Sequence, residues 1–115
     1  MTDSHVVLLS SPEAVNADKF GPKAANQAAL GQAGLPIPDG FCISADAYRA
    51  QLKSAGLDKK MIEFGKADFV SARSIAIDLR IELYDGEMDP ALKDEILTAR
   101  QALIDRTGEM MVVRS

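Results

Sequence analysis

Tryptophan is absent from this chain, and histidine and cysteine occur once each, as His5 and Cys42. A lone cysteine allows no intrachain disulfide. With one histidine, placed in what reads as a frayed N-terminal tail, there is no His/Cys/carboxylate cluster at metal-ligand spacing. Neither a Gly-x-Ser-x-Gly elbow nor a Gly-x-x-x-x-Gly-Lys-Ser/Thr loop occurs. The reacting groups of a self-contained active site are therefore missing. No apolar run approaches membrane-spanning length. The start, Met1-Thr2-Asp3-Ser4-His5, has neither the basic lead nor the apolar stretch of a secretory signal, so the cytoplasm is the expected location. Basic runs are missing too: Lys59-Lys60 is the densest cationic pair, and the net charge is −4. Nucleic acid is not expected as a partner, because binding its backbone needs clustered Lys and Arg. A nucleotide stays possible, since it needs only a few well-placed cations. Internal repeats and low-complexity tracts are also absent.

What is present suffices for a core. Apolar residues make up 47% of the 115 residues and aromatics only 5%, so that core must be aliphatic. The length suits one domain spanning 1–115.

Val6-Val7-Leu8-Leu9 reads as a short strand, and Ser11-Pro12-Glu13 as a capped turn with proline at its start. A helix runs from Pro22 to about Ala33 and is closed by Gly34. It is rich in small residues (Ala24, Ala25, Ala28, Ala29, Gly31), which permit either close helix packing or the approach of a flat ligand. Phe41-Cys42-Ile43-Ser44 is a second strand. Cys42 alternates with Phe41 and Ile43, faces the opposite side, and reads as a small structural residue rather than a nucleophile. Ser44 caps a helix from about Ala45 to Ala55, with Gly56 as its stop. Leu57–Lys66 leaves open whether a further helical turn or two forms. Asp68 to Tyr84 is a long helix with Phe69, Ala72, Ala76, Leu79 and Leu83 on one stripe. Ile75, Ile77 and Ile81 add apolar surface off that stripe, so this helix is expected to be covered on more than one side, part of the cover lying outside the chain. Asp89 caps and Pro90 opens a last helix to about Arg106, with Leu92, Ile96, Ala99 and Leu103 inward, Glu95 outward and Gly108 at its end. Met110-Met111-Val112-Val113-Arg114 reads as a third strand. Asp85, Glu87 and Asp89 form an acidic turn that reads as loop and cap, with a bound cation as the alternative.

The sharpest local signal is Phe20-Gly21-Pro22-Lys23-Ala24-Ala25-Asn26. Lysine in the first turn of a helix opposes the macrodipole at a cost of roughly 0.3–1 kcal/mol. A bound anion reverses the sign of that cost, because N–H groups, dipole and ammonium all favour it. Lys23 is thus either a phosphate contact or a solvated lysine balanced by Asp18.

Together with Ala33-Gly34-Leu35-Pro36-Ile37-Pro38-Asp39-Gly40-Phe41, this stretch resembles the start of the ATP-binding (PEP/pyruvate-binding) domain of the pyruvate phosphate dikinase and phosphoenolpyruvate synthase family. The resemblance rests on Gly21, Lys23, Asn26, Leu30, Gly34, Leu35, Pro36, Ile37, Pro38, Gly40, Phe41 and Ala47-Tyr48. It also takes in Val113-Arg114-Ser115, similar to a V-R-S that continues as S-A-x-x-E-D in the family. Between the two ends only a helical pattern is shared. Two positions depart from the family: Pro22 replaces the second glycine of G-G-K, and Gln27 stands where leucine is usual. Pro22 is comfortable at a first helical position but removes one N–H that would otherwise face a phosphate.

The resemblance implies an α/β or α+β fold, the first lobe of an ATP-grasp-like domain, with about four helices on a small sheet of about three short strands. It implies ATP as cofactor, with Lys23 and Arg114 on its phosphates and facing one cleft. The alternative for Arg114 is an edge arginine in water. It further implies phosphoryl transfer to a carrier histidine on another domain, with the Mg²⁺ ligands, that histidine and the acceptor domain beyond Ser115. On this reading the chain is an N-terminal fragment, cut within the V-R-S motif, that binds ATP weakly and turns over none. Its partners are ATP and the remaining domains of a parent enzyme. The alternative is a stand-alone, non-catalytic protein-binding or regulatory module on the same scaffold. The prolines at 36 and 38 also predict an ordered, extended Gly34–Gly40 connector that delivers Phe41 into the core.

Overall fold

Val6–Leu8 (β1) and Phe41–Ile43 (β2) pair antiparallel, with Val6 opposite Ile43, Val7 opposite Cys42 and Leu8 opposite Phe41. They belong to a computed structural model that describes residues 4–108 and 111–114. A 3₁₀ turn (Pro12–Val15) and α1 (Ala17–Gln32) lie between the strands. After them come α2 (Ala45–Ser54), α3 (Asp58–Lys66), α4 (Phe69–Asp85) and α5 (Pro90–Thr107). The class is α+β, with five α-helices and one two-stranded sheet among the described residues. The chain divides into two compact units, one made of 1–47 with 91–115 and the other of 48–90.

In the first unit the core is Leu9, Ala14, Phe20, Ala28 and Cys42, with Val7, Ala24 and Ile37 packed against it. Side chains alternate across a strand, so Val7, Leu9 and Cys42 share the inner face of the ribbon. Phe41 and Ile43 are on the other face, where Phe41 is half-buried and Ile43 exposed. This corrects the expectation that Phe41 fills the core. The connector does reach β2, but the register turns the thiol inward, and the core aromatic is Phe20. Burial pushes the Cys42 thiol above its ordinary range, as expected for a structural cysteine. A thiol-specific reagent should therefore leave the native chain unmodified and label it in step with unfolding; fast native labelling would show Cys42 to be exposed.

The small residues of α1 serve packing. Ala25 and Ala28 are buried, and a Cβ on Gly31 would come within 2.5 Å of Ile37 Cδ1. Gly31 thus lets the proline-stiffened connector fold back on the helix. That reversal begins at a Schellman end: Leu35 N–H donates to the Leu30 carbonyl (3.1 Å) and Gly34 N–H to that of Gly31 (3.1 Å). Gly34 sits there at φ 91°, a conformation glycine adopts without steric cost.

The third strand does not form over 111–114, and Met110 lies outside the described residues. Val112 and Val113 are 78% and 98% exposed. Three of the outward backbone groups of β1 are already engaged. Val6 N–H donates to the Glu95 carboxylate (3.3 Å), the Val6 carbonyl accepts from Ser4 Oγ (2.7 Å), and the Leu8 carbonyl accepts from Ser11 N–H (2.9 Å). Glu95 also accepts from Ser4 Oγ and from His5 N–H (2.8 Å). It is therefore half-buried rather than outward-facing, and these donors hold its carboxyl below the usual range. The Ser44 N–H donates to the His5 carbonyl (2.8 Å), so His5 is tied to the sheet rather than frayed.

The second unit is built on Leu52, Leu57 and Leu79, with Met61, Ile75 and Leu83 around them. α2 ends as α1 does, with Leu57 N–H on the Leu52 carbonyl (2.8 Å). This brings the two leucines together in the hydrophobic contact typical of that motif. Asp68 caps α4 by accepting from Ser71 N–H (2.8 Å). Phe69, expected on the packed stripe, is 85% exposed. As the first helical residue it precedes the turn that packs, so the inward stripe begins at Ala72. Lys60 on α3 pairs with Glu82 on α4 (3.0 Å). No helix is long and apolar enough to cross a membrane among the described residues.

Candidate nucleotide-phosphate site

Asn16 caps the first turn of α1, its Oδ1 accepting from Asp18 N–H (3.1 Å) and Lys19 N–H (3.3 Å). That turn carries Phe20 into the core. The helix then breaks at Gly21, whose φ of 84° and ψ of 162° lie outside any helix. Only glycine occupies this region readily, and the extended ψ is what a following proline demands. Pro22 restarts the helix, and Lys23 sits in its new first turn.

Lys23 is exposed, and among the described residues its side chain makes no hydrogen bond or ion pair. Asp18, the balancing partner in the alternative reading, does not pair with it. A Cβ on Gly21 would meet nothing within 4 Å, so the kink that precedes Lys23 is open on that side. The local chemistry suits a phosphate: an unpaired ammonium at a helix start.

Arg114 belongs to the same compact unit as Lys23. It is exposed in a segment without regular structure, and it too lacks a hydrogen bond or ion pair among the described residues. Among the described residues no protein group joins the two cations or fixes Arg114 toward α1. Ser115 lies outside the described residues.

One contact links the regions that carry the two motifs. Arg106, in the last turn of α5, grips Asp39 with Nε on Oδ2 (2.9 Å) and a terminal guanidinium nitrogen on Oδ1 (3.1 Å). The guanidinium holds the Asp39 carboxyl below the usual range. A bidentate fork is directional as well as attractive, so it anchors the Pro38-Asp39-Gly40 corner to the end of the helix that precedes Val113-Arg114. Sequence reasoning missed this pair because 67 residues separate its members. The apolar groove of about 570 Å³ between β1 and α5 is lined by Val6, Leu8, Glu95, Thr98 and Ala99 among others, and by neither Lys23 nor Arg114.

No group of three or more His, Cys, Asp or Glu is placed to hold a metal ion among the described residues. In the acidic turn, Gln51 accepts from Asp89 N–H (2.7 Å) and donates to the Glu87 carbonyl (3.0 Å). The turn is thus held through its backbone.

Residues 17–115 match the family described as pyruvate phosphate dikinase, AMP/ATP-binding domain. The chain belongs to that family. A probable phosphoenolpyruvate synthase of Methanocaldococcus jannaschii is 33% identical over 98 residues, an alignment covering 80% of this chain. The chain spans 8% of the length of that relative. Membership in the pyruvate phosphate dikinase family supports nucleotide binding, and the match begins at Ala17, so it includes the kink at Gly21 and Lys23.

Proposed function

We propose that the chain forms one wall of the ATP site of a dikinase-type phosphotransferase resembling phosphoenolpyruvate synthase. In this reading Lys23 and Arg114 contact the ATP phosphates, and the phosphoryl group passes to a carrier histidine elsewhere in a longer parent enzyme. The observation that carries it is Lys23 itself: an exposed, unpartnered ammonium in the first turn of a helix restarted by a glycine kink. Bound ATP would supply the transferable phosphoryl group. Lys23 would neutralise phosphate charge as a mobile point charge, and Arg114 as a rigid two-pronged donor. Phosphoryl transfer depends mainly on positioning and charge neutralisation, so cations at these positions serve the reaction without any acid, base or nucleophile in this chain. Pro22 offers no N–H, which places more of the phosphate contact on the Lys23 side chain. Mg²⁺ would be held by carboxylates outside this segment.

The chain alone should bind ATP with a dissociation constant of millimolar order or weaker, about −4 kcal/mol, and hydrolyse none. Inorganic triphosphate should compete with ATP, because phosphate contacts dominate. Lys23→Ala should weaken binding about tenfold while leaving the denaturation midpoint within about 0.5 kcal/mol of the parent, as for exposed positions generally. ATP binding that triphosphate fails to displace, or that Lys23→Ala leaves intact, would favour a non-catalytic module on the same scaffold.

A further inference from the structure

α4 carries two apolar faces. Ile75, Leu79 and Leu83 pack into its own unit. The opposite face presents Val70, Ile77, Ile81 and Tyr84, which are 80%, 52%, 54% and 90% exposed. At 3.6 residues per turn these four lie within an arc of about 60°. Contiguous exposed apolar surface of this kind marks an interaction site.

The spacing is a heptad. Val70, Ile77 and Tyr84 recur every seven residues and occupy the d positions, with Ser74 and Ile81 at a. The flanks are then Arg73 and Arg80 at g, and Asp78 and Asp85 at e. In a parallel, in-register helix pair each g residue meets the e residue five positions on in the other helix. Arg73 meets Asp78, and Arg80 meets Asp85, so both flanks are complementary. In an antiparallel pair g meets g, and the arginines would face one another. The side chains of Arg73, Arg80 and Asp85 make no hydrogen bond or ion pair within the chain among the described residues. Asp78 has a coulombic interaction with Lys60, whose hydrogen bond goes to Glu82.

We propose that α4 is a self-association surface on which a second copy of the chain docks its own α4, parallel and in register. Ile77 and Ile81 form the centre, Val70 and Tyr84 the ends, and the Arg73–Asp78 and Arg80–Asp85 pairs set orientation. Ser74, a polar residue at an a position, fixes the register. The face is short, because α4 has 17 residues, so the interface falls well below the standard size and the association is weak.

Sedimentation equilibrium tests this. Between ~10 µM and ~1 mM the mean mass should rise from 12.3 kDa toward twice that value, as mass action requires. R73D/R80D and D78R/D85R should each stay monomeric with unchanged far-ultraviolet circular dichroism, and an equal mixture of the two should associate again. Ser74→Cys should cross-link copy to copy on mild oxidation, since a positions face each other only in the parallel pair. A monomer at every concentration would overturn the proposal and leave the face to another partner. So would a dimer indifferent to the charge swaps, or swapped chains that fail to associate when mixed.

Discussion

Phe20→Ala should cost about 3–5 kcal/mol, the usual range for a buried phenylalanine. That is a large share of the roughly 5–15 kcal/mol that holds a small domain folded. Phe20 is 9% exposed and packs with Leu9, Ala14, Ala28 and Cys42. Several of these neighbours are small, so they cannot expand into the cavity, and little of the loss is recovered by collapse. Phe41→Ala makes the comparison sharp. Phe41 is half-buried on the far face of a two-stranded ribbon. Its truncation should cost only about 1 kcal/mol, roughly half of what full burial of such a side chain contributes. Chemical denaturation of both variants measures the difference. If Phe41→Ala is the more damaging of the two, the ribbon faces the core with its other side and the register is wrong.

Gly21→Val should destabilise by about 1–3 kcal/mol, the strain of holding a side-chain-bearing residue in a glycine-only conformation. The cause is the backbone at φ 84° and ψ 162°, not crowding, since a Cβ there meets nothing within 4 Å. The variant can escape that strain only by straightening or shifting the kink, which moves the first turn that carries Lys23. Stability and ATP binding should therefore fall together. Gly65→Ala is the control: it lies inside α3 with open space around it and no positive φ, and should stabilise by about 0.5 kcal/mol. Equal effects at the two glycines would show that the kink is not a constrained feature.

The parts of the fold legible beforehand are those set by local chemistry. Ser44 caps the helix it was expected to cap, and Gly34 and Gly56 end theirs at φ 91° and 74°, because capping needs only neighbouring residues. α3 was ambiguous for the same reason, as Leu57 offers no side-chain cap. What failed depended on distant partners. The strand expected over 110–114 has good strand residues, but Glu95, Ser4 and Ser11 take the backbone groups at the outer edge of β1. Which face of β2 turns inward was decided by its pairing with Val7. Of the site, the position of Lys23 in a first helical turn was readable from Gly-Pro-Lys. The grip of Arg106 on Asp39, which ties the connector to α5, was not.

The phosphate role of Lys23 is tested most directly by amide chemical shifts during an ATP titration of the labelled chain. Gly21 and Lys23–Ala25 should move first, with Val113–Ser115 following. Lys23→Ala should remove these changes while the rest of the spectrum stays in place. Shifts scattered over the surface, or shifts at α1 that persist in Lys23→Ala, would contradict it.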